Sequence, residues 1–221
     1  MADVDYQWVK RFDPNKRWFA GKDYLRVKRA LDLSIVFLAS PFWIPVMALI
    51  SLLIFVTSPG APVIYTNQRA GRGGKLFLFY KFRTMVPNAD SLKEKYMHLN
   101  ELEWPDFKIT NDPRVLPIGK ILRKTSLDEL PQLFNIIKGD MSLVGPRPTD
   151  FGTDAYNLWQ TERLDILPGV TGLWQVTARG SVNMDKRTRM DIAYIERACV
   201  SLDIYLILLT VWTMFKPRGV T

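Results

Sequence analysis

At 221 residues the chain is long enough for one compact domain with its own core, plus appendages. Thirty Lys and Arg against 22 Asp and Glu leave a formal charge of +8, which points to an anionic partner: phosphates, an acidic membrane surface or nucleic acid. The single cysteine, Cys199, excludes an internal disulfide and a multi-thiolate metal site, and the single histidine, His98, leaves almost no material for a zinc site or a Ser-His triad. Cys199 reads as a small buried hydrophobe and His98, in a charged stretch, as a surface residue.

Residues 1–25 interleave Lys and Arg with Tyr6, Trp8, Phe12, Trp18, Phe19 and Tyr24. Such a segment suits a membrane interface, with rings at headgroup depth, and it equally suits a poorly ordered tail. No cleavable signal peptide is visible, because the first apolar run starts only near residue 30, after charged residues and Pro14.

Ala30 to Val56 is the longest apolar run. As one straight helix it would be about 40 Å long, enough to cross a hydrocarbon core of about 30 Å. Ser40 and Pro41 interrupt it, and Pro45 follows. Basic residues flank both ends: Arg26, Lys28 and Arg29 before it, Arg69, Arg72 and Lys75 after it. Such flanks mark the cytoplasmic side. Broken at Ser40 and Pro41, the helix has arms of roughly 15 and 24 Å, each too short to cross. The expectation is therefore a re-entrant membrane helix within residues 26–58 rather than a spanning one.

The turn cluster Ser58 to Pro62 ends that helix. Val63 to Tyr65 and Leu76 to Tyr80 are predicted strands, joined by a hairpin-like turn at Gly71 to Lys75 that lacks the spacing of a phosphate-binding Walker loop. On a strand Lys81 and Arg83 would share a face, which suits a phosphate or merely a solvated surface. Residues 86–110 are a polar connection, and Asn111 to Arg114 a turn.

A helix from about Gly119 to Lys124 leads into two adjacent carboxylates, Asp128 and Glu129. Lys120, Arg123 and Lys124 precede them, and Leu130, Leu133, Phe134 and Ile137 follow at helical spacing. This places the pair at a helix N-terminus, where negative charge is favoured. Ser126 and Glu129 also fit a capping box, a purely structural use of the same residues.

Lys138 and Gly139 close the next helix, Met141 to Gly145 is a short buried strand, and Pro146 and Pro148 hold Arg147 in extended backbone. A guanidinium on a stiff backbone suits phosphate, although a loop Arg with no ligand is the plain alternative. Residues 150–166 look helical, Pro168 to Gly172 a turn and Leu173 to Val176 a strand-like exit. Asp185 to Val200 is a charged amphipathic helix. Ser201 to Phe215 is apolar but only about 22 Å long, so it should lie in the interface.

These blocks, in this order, resemble the bacterial sugar transferase family, the monotopic polyprenyl-phosphate phosphoglycosyl transferases. The resemblance runs from about Val27 to the C-terminus. It rests on Ser40-Pro41, Ser58 to Gly60, Gln68-Arg69, Lys81 to Met85, Asn111 to Arg114, Arg123 to Asn135, Lys138 to Pro148 and Pro168 to Gly172. Ala70 and Ala178 to Gly180 depart slightly from the commoner pattern. Longer members carry transmembrane helices ahead of this region, so the chain is expected to be a minimal catalytic unit, natural or cut down.

The implied fold is α+β: a mostly helical, membrane-associated monotopic domain with a re-entrant helix broken at Ser40 and Pro41, a small β-hairpin and interfacial amphipathic helices. Residues 59–221 would form the catalytic domain on the cytoplasmic face of the bacterial inner membrane. The implied reaction moves a sugar-1-phosphate from a UDP-sugar to polyprenyl (undecaprenyl) phosphate, releasing UMP, as the first membrane step of surface polysaccharide biosynthesis. Asp128 would be the nucleophile, forming a covalent aspartyl phosphosugar. Glu129 would help hold Mg²⁺, and Lys81, Arg83, Arg123 and Arg147 would bind phosphate.

Gly172 to Val176 resembles the branch that transfers hexose phosphates, glucose or galactose, though Trp174 also reads as core. The rival reading is a non-catalytic basic membrane-anchored module that binds anionic lipid or a partner. No nucleic-acid motif is present. Oligomeric state stays open, a homodimer included.

Overall fold

In the computed structural model, which describes residues 5–101, 107, 109–149, 156–178 and 183–215, the central apolar run folds as two helices. α1 covers Gly21–Leu38 and α2 covers Ser40–Thr57, with Ala39 as the turn residue between them. Pro41 stands in the first turn of α2, where a missing N–H costs little, and Pro45 lies inside the helix. At 18 residues α2 is about 27 Å long, more than the arm expected from sequence, because it runs on to Thr57. Among the described residues it is the one helix long and apolar enough to cross a membrane, by length and composition.

The chain divides into two units, residues 1–37, 68–77 and 135–221, and residues 38–67 and 78–134. The first is built on a short parallel pair, β3 (Ser142–Val144) and β4 (Gly169–Thr171), with Ser142 opposite Gly169 and Val144 opposite Thr171. The turn expected at Pro168 to Gly172 is thus a strand, and the strand-like exit is a helix, α5 (Leu173–Thr177). The glycines mark close backbone approach rather than a turn. A Cβ on Gly169 would lie 2.1 Å from the Gly145 nitrogen, and one on Gly172 would lie 2.4 Å from the Gly145 oxygen.

α6 (Met184–Arg197) is the amphipathic helix expected, its first turn capped by the Asn183 side chain, which accepts from the Lys186 N–H. It stops at Arg197, and α7 (Val200–Phe215) follows. Val144, Leu173, Met190, Tyr194, Cys199, Leu202 and Leu206 form the core with Tyr24 and Val9. Residues 7–16 make two 3₁₀ turns, and Trp8 packs on Tyr205 with ring centroids 5.1 Å apart. Tyr6, Trp8, Phe12 and Tyr24 therefore pack in or against this core, while Trp18 and Phe19 are exposed. Of the helix expected over 150–166, residues 150–155 lie outside the described residues, as do 102–106 and 108 of the polar connection and Arg179 and Gly180. Leu158–Leu164 is a 3₁₀ turn, started by a capping box between Asn157 and Gln160.

A buried ionic cluster, not foreseen from sequence, ties α1 to α7. Lys28 Nζ lies 3.0 Å from Asp203 Oδ2, and the hydroxyls of Tyr24 and Tyr194 donate to the same carboxylate at 2.9 and 2.5 Å. Burial, reinforced by the Asp203 charge, raises both phenols well above their ordinary pKa, so they stay donors. One turn along α1, Asp32 accepts from the Ser142 hydroxyl at 2.7 Å and from the Leu143 N–H at 3.2 Å. Removing one member of a buried pair leaves the other uncompensated. Lys28→Met should lower stability by about 2 kcal/mol in denaturant unfolding of the solubilised protein, less than a bare buried charge would cost, because both tyrosine donors remain.

In the second unit α2 buries one face, Trp43, Met47, Ile50 and Ile54, and leaves Phe42, Leu49, Leu52, Phe55 and Val56 exposed. β1 (Ile64–Ala70) and β2 (Leu76–Phe82) form the expected hairpin, each longer than its predicted core, with residues 68–77 counted in the first unit and the rest in the second. Beyond it Met85 bridges Val115, and α3 (Pro117–Thr125) begins. Gly119 lets α3 lie against the chain at Thr84: a Cβ there would meet the Thr84 carbonyl at 2.1 Å. Asp112 and Arg114 form a buried pair at 2.6 Å in the expected turn, and His98 is exposed. Cys199 is buried, as expected.

Candidate active site

Ser126 ends α3 in the left-handed conformation (φ 60°, ψ 16°), an uncommon state for a residue other than glycine. The chain turns there, and Leu127–Glu129 forms a single 3₁₀ turn before α4 (Gln132–Lys138). This corrects the sequence reading in two respects. The capping box does not form, since Ser126 makes no side-chain cap bond and an N-cap needs extended backbone. The carboxylates occupy a link between two helices, and α4 starts three residues later. Its buried residues are Gln132, Asn135 and Ile136, while Phe134 is exposed and packs edge-on against Trp43 at 5.7 Å. The stripe at 130, 133, 134 and 137 is not the inward face. Gly139 (φ 89°) closes α4 as expected, with the Gly139 and Asp140 N–H groups donating to the Asn135 carbonyl.

A side chain, rather than a helix dipole, compensates the two carboxylates. Lys81 reaches from β2 and places Nζ 2.9 Å from Glu129 Oε1 and 3.4 Å from Asp128 Oδ2. The side chains are 19%, 17% and 9% exposed respectively, so the triad is only weakly screened by solvent. The Lys81 ammonium also lies 5.8 Å from the Phe79 ring centroid. Arg123 donates from Nε to Thr84 Oγ1 at 2.9 Å. Burial pulls the Arg123 pKa down and the charge of Asp128 opposes that pull. These four groups, all from the second unit, are the predicted site residues that the structure brings together.

Arg83 has a different place. Its Nε donates to the Pro62 carbonyl at 2.8 Å, Nη1 to Ser58 Oγ at 2.9 Å, and Nη2 to the carbonyls of Ser58 and Ala61. It fastens the loop after α2 instead of pairing with Lys81, and burial lowers its pKa. Alternation along a strand gave the two residues one face, but β2 ends at Phe82 and Arg83 lies beyond it. Ser40 and Pro41 open α2.

Arg147 belongs to the first unit, in the loop after β3. Three successive carbonyls of that loop are held. Pro146 accepts from the Gly169 N–H at 2.9 Å, Arg147 from Arg163 Nη2 at 2.8 Å and Pro148 from Arg69 Nη1 at 2.7 Å. Arg163 is itself fixed by Asp191 at 2.7 Å and by the Tyr156 hydroxyl at 3.1 Å. Sequence reasoning missed Arg163, Asp191, Thr84 and Gly119. Only Gly119, two residues after a proline that starts a helix, carried a local signal.

For Mg²⁺ the donor set is sparse. Among the described residues no group of three or more His, Cys, Asp or Glu side chains could hold a metal. Two adjacent carboxylates suit a hard cation that keeps several waters and takes substrate phosphate oxygens, and do not make a self-contained cage. Glu129, the more exposed of the two, fits that use.

The chain matches the bacterial sugar transferase family over residues 23–217. It is 42% identical over 202 residues to the "Undecaprenyl-phosphate galactose phosphotransferase" of Salmonella typhimurium, covering 87% of this chain and 41% of that protein. It is also 42% identical over 166 residues to the "Galactosyl transferase CpsE" of Streptococcus agalactiae, covering 74% of this chain and 37% of the relative. The chain thus spans about two fifths of the length of these two proteins. Against the "Exopolysaccharide production protein ExoY" of Sinorhizobium fredii it is 36% identical over 201 residues, with 87% of each chain covered. On this match, which takes in both units and every residue of the carboxylate site, the chain belongs to the bacterial sugar transferase family.

Proposed function

We propose that the protein transfers a sugar-1-phosphate from a UDP-sugar to polyprenyl (undecaprenyl) phosphate, giving a polyprenyl diphosphosugar and UMP. The observation that carries this reading is the dyad of buried Asp128 and half-buried Glu129 shared by one lysine. The names of the relatives add a lipid carrier and, for two of them, galactose.

Asp128 is the nucleophile. Its carboxylate attacks the sugar-bearing β-phosphorus, the bond to the UMP oxygen breaks, and an aspartyl phosphosugar forms. The lipid phosphate oxygen then attacks that phosphorus and frees the carboxylate. One phosphoanhydride replaces another, so the overall reaction is close to balance. Negative charge is the obstacle, since a carboxylate must approach a diphosphate. Lys81 and Arg123 offset that charge from the same unit, and Arg147 is assigned to phosphate on a loop whose carbonyls are already fixed, which limits the entropy lost in placing it. Glu129 would hold Mg²⁺, which when bound shields phosphate charge. Arg83 is assigned to the loop after α2 and not to substrate.

The same reading places the protein at the cytoplasmic face of the bacterial inner membrane. The exposed face of α2 is apolar over most of its length, a surface that calls for lipid. The interruption at Ala39 beside Ser40 and Pro41 supports a helix that dips in and returns. At that depth the lipid phosphate meets the site with much of its orientational cost removed.

UMP release from a UDP-sugar with polyprenyl phosphate and Mg²⁺ tests the reading, and a panel of UDP-hexoses fixes the sugar. A non-catalytic lipid-binding module would release none. Glu129→Gln should slow release by about 10- to 100-fold and shift its metal dependence to higher concentration. An unchanged metal dependence would remove Glu129 from that role.

A further inference from the structure

The Lys81 ammonium stands at the position a divalent ion would take between the two carboxylates. Its Nζ is 2.9 Å from Glu129 Oε1 and 3.4 Å from Asp128 Oδ2. A cation on an oxygen and a hard metal ion on the same oxygen repel each other strongly where solvent screening is weak, and all three side chains are less than one-fifth exposed. Charge counting agrees. Asp128 and Glu129 carry two negative charges, and Lys81 with Arg123, on which the Asp128 charge acts, carries two positive ones. Among the described residues these charges offset one another, and carboxylates so offset have little hold on a doubly charged ion until a diphosphate adds negative charge.

We infer that Lys81 is a built-in occupant of the metal position. In the donor-free enzyme it neutralises the dyad and weakens its hold on divalent ions. It leaves the carboxylates when a diphosphate offers its ammonium other anionic oxygens. The metal therefore binds the donor-free enzyme only at concentrations high enough to displace Lys81 from the carboxylates, and otherwise enters with the nucleotide donor or after it. This rests on the assignment of Glu129 as a metal ligand.

The test is equilibrium binding of Mn²⁺ to the full-length solubilised protein without nucleotide, read from the paramagnetic signal of the free ion. Lys81→Gln should bind Mn²⁺ at least about tenfold tighter than the unaltered protein, the scale on which groups bonded to metal ligands act. Lys81→Arg, which keeps the charge, should show no gain, and adding Glu129→Gln to Lys81→Gln should abolish it. Equal or weaker binding by Lys81→Gln overturns the inference. A second measurement needs no substitution: saturating Mn²⁺ should raise labelling of Lys81 by an amine-directed reagent, mapped by peptide mass spectrometry. Labelling that is unchanged or lower with Mn²⁺ bound also overturns it. UMP release is assayed on the same preparation. Active protein with no gain on Lys81→Gln removes this inference alone, whereas protein that releases no UMP with any UDP-sugar removes the reading beneath it.

Discussion

Asp128→Asn is expected to lower UMP release by at least about a thousandfold while leaving the fold intact. The substitution keeps shape and an oxygen acceptor toward Lys81, and Glu129 still pairs with that lysine at 2.9 Å, so the lysine keeps a charge partner. Thermal unfolding should therefore move little. What disappears is the anionic oxygen that attacks phosphorus, since the neutral amide oxygen is too weak a nucleophile to replace it. The metal dependence separates two roles. A residue that only helped to hold the ion would be rescued by excess Mg²⁺, whereas a missing nucleophile is not. Rescue to within about tenfold would reassign Asp128 to metal holding.

Gly169→Ala is the second large effect, this time on stability. The new methyl would stand 2.1 Å from the Gly145 nitrogen and 2.6 Å from the Val144 carbonyl carbon. Both neighbours are backbone, so neither can swing aside, and β3 must separate from β4. The Gly169 N–H donates to the Pro146 carbonyl at 2.9 Å, so the Arg147 loop loses a support at the same time. A loss of about 3 kcal/mol is expected, at the upper end of overpacking costs. KM for the UDP-sugar should also rise in whatever fraction stays folded. Gly60→Ala makes the contrast. That residue has φ 88° with open space around it, so it carries backbone strain without a clash and should cost only about 1 kcal/mol. Equal losses for the two variants would contradict the close-approach explanation of Gly169.

The residues that spoke clearly in the sequence are those whose signals are local. Ser40 and Pro41 mark the helix interruption because proline acts on its own turn. Gly139 marks the end of α4 because a left-handed residue favours glycine. Asp128, Glu129 and Lys81 were legible as charges at telling positions, and they meet. What was misread depended on partners far away in the chain. Pro168-Gly169 looks like a turn, yet the glycine is there because a strand 25 residues earlier leaves no room for a Cβ. Ser126 and Glu129 fit a capping box by spacing, but a left-handed Ser126 ends the preceding helix instead. The cluster of Lys28, Tyr24, Tyr194 and Asp203 has no sequence signal at all, since its members come from both ends of the chain. Arg83 shows the same lesson in reverse: alternation gave it the face of Lys81, and three residues of the loop after α2, Ser58, Ala61 and Pro62, claimed it.

The central claim is a covalent bond between the side chain at position 128 and a sugar phosphate. It is tested most directly by mixing active protein with its UDP-sugar in the absence of lipid acceptor, quenching, and mapping peptides by mass spectrometry. The account predicts a hexose-phosphate mass on the peptide that holds Asp128, formed with release of UMP and discharged when polyprenyl phosphate is added. Release of UMP only when both substrates are present, with no adduct or with one on another residue, would contradict it.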